Sequence, residues 1–164
     1  MQLITFTVAG QQFAIEARRV IEVLPLIPAR PVPMLPDYVT GMFVYRGRLV
    51  PLVDLGIRLG GTAAERRLST RIVVVEYATP AEPNPPAAIP APTRVGLVAE
   101  NVIATCRSED AEADYPPLRF EDAPFMGRIL RLRGQTVHLL AVDRLLPAEV
   151  VTGLFPLSAE RCLP

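Results

Sequence analysis

From Leu3 to Val8 the chain alternates, with Ile4, Phe6 and Val8 on one face and Thr5 and Thr7 on the other. That is the period of a half-buried strand. Ala9-Gly10-Gln11-Gln12 reads as a turn, and Phe13-Ala14-Ile15 restarts the alternation. Glu16 to Leu24 reads as one helical turn followed by a strand carrying Val20, Val23 and Leu24. Prolines at 25, 28, 31, 33 and 36 exclude a helix over the next stretch and favour extended, loop-like chain. Then comes the most structured pattern: Gly41 to Tyr45, a tight turn at Arg46-Gly47, and Arg48 to Val53 closed by Asp54. Glycine supplies the positive φ of a short hairpin turn, and apolar residues fill both arms. Asp54 caps a short helix, Leu55 to Leu59, stopped by Gly60-Gly61.

The second half repeats this language. Arg71 to Tyr77 is β-branched almost throughout and gives the clearest strand. Residues 78–93 hold six prolines among alanines and read as an exposed Pro-rich loop insert. Arg94 to Val98 resumes a strand, and the acidic run Glu109 to Asp114 reads as a solvated loop. Met126 to Leu132, Arg133-Gly134 and Thr136 to Val142 form another hairpin. Asp143 reads as the N-cap of a short terminal element, with residues 151–164 a tail.

Phe13 to Ile21 lines up with Val95 to Ile103 at an offset of 82, both apolar-small-apolar-x-Ala-polar-polar-Val-Ile. Arg46-Gly47 finds its counterpart at Arg133-Gly134, 87 positions on. These offsets predict an internal duplication: two all-β units of roughly 60–70 residues, each a small barrel near the size where a lone core is marginal. Such units are expected to pack on one another and share an interface core. The division falls at about 1–69 and 70–150.

Composition narrows the function classes. Among 164 residues, Lys+Arg and Asp+Glu are both 17, which argues against a sequence-independent nucleic-acid binder or a polybasic membrane anchor. The two cysteines, Cys106 and Cys162, and the one histidine, His138, form no CxxC pair or Cys/His cluster, so no metal site and no cofactor is expected. His138, between Val137 and Leu139, reads as a structural histidine, and Cys106 as an ordinary thiol. Two thiols suit a reducing cytosol. The N-terminus lacks a basic region and cleavage site, and no apolar run reaches the ~18 residues of a membrane helix. A cytoplasmic location is expected. No nucleophile elbow or phosphate-binding glycine loop occurs, and Asp54 and Asp143 read as caps rather than as an acid–base pair.

The order Phe6-Thr7-Val8, Phe13-Ala14-Ile15-Glu16, Val20-Ile21-Glu22-Val23, Gly41…Tyr45-Arg46-Gly47…Val50-Pro51-Leu52-Val53-Asp54-Leu55 and Val95-Gly96-Leu97-Val98 resembles the CheW-like coupling proteins of bacterial chemosensory systems. The resemblance covers about residues 3–148. It implies two intertwined five-stranded SH3-like barrels and no catalysis. It also implies an adaptor bridging the cytoplasmic tip of methyl-accepting chemoreceptors to the regulatory domain of a CheA-type histidine kinase, at membrane receptor arrays. Family positions implicated in receptor contact match Val20, Glu22, Gly41 and Arg46. Val44 stands where the family usually has Asn, Tyr45 where Leu is common, and Glu100 where Asp is common, departures consistent with an alternative, non-flagellar pathway.

The groove between the two units is the expected receptor site. Val20, Val44, Tyr45 and Val102 would form its apolar floor, with Arg46 and Glu22 at the rim, in the manner of a helix laid in a groove. From the residues alone Arg46 is a solvated turn residue; the resemblance makes it a contact. A guanidinium on a stiff hairpin suits a receptor carboxylate or helix-end carbonyls. The alternative reading is a small β-barrel nucleic-acid-binding or ribosome-associated module.

Overall fold

The computed structural model describes residues 1–77 and 93–155. The Pro-rich insert, apart from Thr93, and the end of the tail lie outside the described residues. Two short turns, Ala9-Gly10 and Arg46-Gly47, close the first two hairpins: β1 (Gln2–Val8) with β2 (Gln11–Glu16), and β4 (Val39–Tyr45) with β5 (Arg48–Asp54). Arg133-Gly134 closes the third, β9 (Met126–Leu132) with β10 (Gln135–Leu140). In each turn both residues have positive φ, Arg46 at 49° and Gly47 at 78°, and Arg133 at 50° and Gly134 at 75°. This is the mirror-image turn whose twist matches the flanking strands. The glycine was expected there; the left-handed arginine before it was not.

The remaining strands are β3 (Val20–Pro25), entered through a 3₁₀ turn at Ala17–Arg19, β6 (Arg71–Tyr77), and β7 (Thr93–Arg107). The acidic run departs from expectation. Ser108–Asp110 forms a 3₁₀ turn, and Ala113–Tyr115 is a strand, β8, antiparallel to β9. Arg128 on β9 meets Asp114 at 2.9 Å, and Arg131 meets Glu112 at 3.7 Å, so the facing strand offsets the acidic charge. Helix α1 (Leu55–Gly60) follows β5 as expected. Helix α2 (Ala148–Leu154) carries the chain past residue 150 and buries Val151, so the tail read from 151 begins as helix.

The duplication is visible in the ladders. β5 runs parallel to β7 with Leu52 opposite Gly96; β10 runs parallel to β2 with Leu139 opposite Ala14. Leu139 is 87 positions after Leu52, and Gly96 is 82 after Ala14, the two offsets read from the sequence. Each unit's third strand, however, crosses to the other unit's first: β3 pairs with β6, and the C-terminal half of β7 pairs with β1. β7 changes sheet between Ala99, opposite Arg71, and Glu100, opposite Thr7. Asn101, just beyond, has φ 51°, a left-handed bend that asparagine tolerates.

Three apolar clusters follow from this wiring. Phe43, Tyr45, Val50, Leu52, Ile72, Val74 and Val98 fill the first sheet, made of β3, β4, β5, β6 and the start of β7, while β1, β2, the end of β7, β8, β9 and β10 make the second. Leu3, Ala14, Leu130, Leu132, Val137 and Leu139 fill the second. The largest draws on both, including Phe6, Val8, Phe13 and Ile15 from one and Val53, Val73, Val75, Val95 and Leu97 from the other. This is the shared interface core that the size of the units required. Arg58 of α1 spans it, with its guanidinium over the Tyr38 and Phe125 rings at 4.9 and 4.7 Å and Nε donating to the Leu145 carbonyl at 2.8 Å.

Candidate protein-interaction site

Asp54 is buried, and its Oδ1 accepts from the backbone N–H groups of Gly56 (2.8 Å), Ile57 (3.3 Å) and Ala64 (3.2 Å). It is a helix cap that also ties down the chain beyond α1. Asp143 does not play this part. It lies inside the 3₁₀ turn Val142–Arg144, whose cap position is Ala141 with no side-chain bond, and it pairs with Arg19. The physical reason is register: the 87-residue offset carries Asp54 onto Ala141, not Asp143. Among the described residues no group of three or more His, Cys, Asp or Glu side chains is placed to hold a metal ion.

His138 packs its ring 5.4 Å from that of Phe13, and burial pushes its pKa below the usual histidine value. Its Nδ1 is buried without a hydrogen-bond partner among the described residues. Cys106 sits against the second-sheet cluster, and burial pushes its thiol pKa up.

The four residues expected to floor the groove, Val20, Val44, Tyr45 and Val102, do not share one face. Val20 and Val102 pack against the interface core. Tyr45 points into the first-sheet cluster and is only 5% exposed. Val44, one residue earlier, points the other way, 66% exposed, beside its cross-strand neighbour Leu49 at 67%. Strand alternation forces that split, because successive side chains leave opposite faces. Gly41, at the far end of β4, is buried: a Cβ there would lie 2.3 Å from the Arg30 carbonyl oxygen. That close approach lets residue 30 bridge to β4, with Arg30 N–H donating to the Met42 carbonyl at 2.7 Å and Met42 N–H returning to the Arg30 carbonyl at 2.9 Å. A cleft of about 720 Å³ does open on the molecule, but beside β1, with Thr5, Thr7, Gln12, Ala104 and Arg133 on its wall and none of the seven expected contact residues.

Three of the seven do converge. The Tyr45 hydroxyl donates to Glu22 Oε2 on β3, and Arg46 Nη2 donates to the same oxygen at 3.3 Å. The Arg46 guanidinium stands 5.1 Å from the Tyr45 ring centroid, and that of Arg94, missed in the sequence reading, stands at 5.6 Å. The bond to Glu22 is the main reason the Tyr45 phenol titrates above its usual value. The cluster holds two cations against one carboxylate at a hairpin tip. Guanidinium groups can hold a carboxylate through paired N–H donors.

A CheW-like domain model matches residues 2–150. The chain belongs to the CheW-like family. A relative described as chemotaxis protein CheW, from Rhizobium meliloti (strain 1021), is 29% identical over 150 residues, covering 90% of this chain and 88% of that protein. Another chemotaxis protein CheW, from Helicobacter pylori, is 32% identical over 77 residues, 47% of each chain. The crystal structure of scaffolding protein TtCheW from Thermoanaerobacter tengcongensis superposes with a TM-score of 0.72 at 18% identity, covering 91% of this chain and 89% of that one. The fold is the SH3-like β-barrel fold of that CheW neighbour. No helix among the described residues is long and apolar enough to cross a membrane.

Proposed function

We propose that this chain is a non-enzymatic coupling scaffold in chemosensory signal transduction. It joins the cytoplasmic tip of methyl-accepting chemoreceptors to the regulatory domain of a CheA-type histidine kinase, in the cytoplasm at receptor arrays. The observation that carries the reading is the CheW-like match over residues 2–150. The two sheets are read as two five-stranded barrels with exchanged strands. The receptor side is placed at the β4–β5 hairpin, where Arg46 presents a guanidinium beside the exposed Val44 and Leu49. Glu22, Tyr45, Gly41, Val20 and Val102 support that hairpin and the interface behind it.

The nucleic-acid alternative is not favoured. Arg18, Arg67, Arg128 and Arg131 each pair with a nearby carboxylate instead of forming a basic stripe.

The test is co-sedimentation with receptor-bearing membranes. Arg46→Asp should weaken binding sharply while circular dichroism stays unchanged. Wild-type binding by that variant would remove Arg46 from the contact. A pull-down with the isolated kinase regulatory domain tests the other arm, and its failure would refute the coupling role.

A further inference from the structure

In the first unit the Tyr45 ring packs in one cluster with Leu24, Val50 and Val74, and only 5% of the residue is exposed. The duplication gives each of the four a counterpart. The 87-residue offset carries Tyr45 and Val50 onto Leu132 and Val137, and the 82-residue offset carries Leu24 onto Cys106. Val74 faces Gly96 as Thr5 faces Ala14, so Thr5 stands for Val74. Leu132, Val137, Cys106 and Thr5 all border the cleft of about 720 Å³ beside β1. The second unit thus keeps the walls of a tyrosine-filled position without the tyrosine.

We propose that this cleft binds a small aromatic carboxylate, with the ring against Leu132 and Val137 and the carboxylate on Arg133. The internal duplication supplies the ring's chemistry, since the matching place in the first unit is filled by a phenol. Leu132 and Val137 are buried and supply an apolar wall. Gln12 and Thr7, hydrogen-bonded to each other at 3.3 Å on the same cleft, offer an amide and a hydroxyl to a ring substituent.

Charge supplies the other half. Arg133 follows Leu132 in the left-handed turn, φ 50°, and is exposed. None of the ion pairs among the described residues involves it. Its paired N–H donors are therefore open to a carboxylate. Arg107 and Asp110 line the same cleft and cancel in formal charge, which leaves Arg133 as the excess cation. The volume lies within the roughly 300–1,000 Å³ of small-molecule sites. The cleft contains none of the residues placed in receptor contact, so this proposal stands or falls apart from that one.

The experiment titrates the full ¹⁵N-labelled chain with 4-hydroxyphenylacetate and follows backbone amide and arginine side-chain NMR shifts. Acetate and 4-methylphenol serve as the head and the ring alone. The acid should give saturating shifts at Thr5, Thr7, Gln12, Ala104 and Arg133 with a midpoint of about 1 mM, and each half-molecule should bind at least about tenfold more weakly. Arg133→Gln should weaken binding about fivefold. Leu132→Tyr, which gives the second unit the ring of the first, should abolish it. If Leu132→Tyr does not fold, Arg133→Gln, at an exposed turn position, decides in its place. Absence of saturating shifts, shifts centred elsewhere, or acetate binding as well as the aromatic acid overturns the proposal. So does wild-type affinity in Arg133→Gln or in a folded Leu132→Tyr.

Discussion

The two hairpins β4–β5 and β9–β10 have the same strands, the same arginine–glycine turn and equivalent parallel partners, yet their tips differ in kind. At the first, Tyr45 closes the end of the sheet and is bonded to Glu22, with Arg46 and Arg94 around its ring. At the second, Leu132 and Arg133 border an open cleft with Thr5, Thr7 and Gln12. The two hairpins therefore share backbone and register, whereas a handful of side chains decides what each tip presents.

The largest effect expected concerns this contrast directly. Arg46→Asp should reduce receptor co-sedimentation by more than about tenfold, since it reverses the charge and places it beside Glu22, whereas Arg133→Asp should leave it unchanged. Equal losses would show that the two hairpins act alike. Next comes the contrast between caps. Asp54→Ala strips three backbone N–H groups of their acceptor and should lower unfolding stability by about 2 kcal/mol in urea titration. Ala141→Asp, the matching change in the second unit, should shift it by no more than about 0.5 kcal/mol.

Smallest is a pH effect confined to the second unit, because the offset pairs His138 with Pro51, which does not titrate. Burial lowers the His138 pKa in the fold, so the unfolded chain binds the proton first. Stability should be full above the ordinary histidine value of 6.5 and fall as pH drops through it. Urea midpoints at pH 7.5 and 5.5 should show a larger drop for the wild type than for His138→Phe. Parallel pH profiles would show that this histidine contributes nothing.

Much of the fold was legible in the sequence because it is written locally. β6 announces itself by β-branched residues, the hairpins by arginine–glycine turns between apolar arms, and α1 by Asp54 and the glycines behind it. Even the duplication was readable, and its offsets reappear in the ladders. What was not legible depends on partners distant along the chain. Nothing near Val20 says that β3 will pair with β6, or that β1 will take the end of β7. The three-residue β8 follows an acidic stretch, and Asp114 within it and Glu112 just before it pair with arginines on β9. Asp143 looked like Asp54 because it also follows a strand, but two residues of drift put it past the cap. The candidate site was half legible. Glu22, Tyr45 and Arg46 were named, but that Glu22 serves its neighbours required β3 and β4 to be brought side by side. Val44 and Tyr45 were placed on one floor although alternation sends them to opposite faces.

The exchange of strands through β7 has a consequence for cutting the chain. A fragment ending near residue 69 would hold β3 without β6 and β1 without the end of β7, so neither half keeps all its ladders as a separate piece. Loss of either half leaves the other with bare strand edges, the kind of surface on which chains pair wrongly.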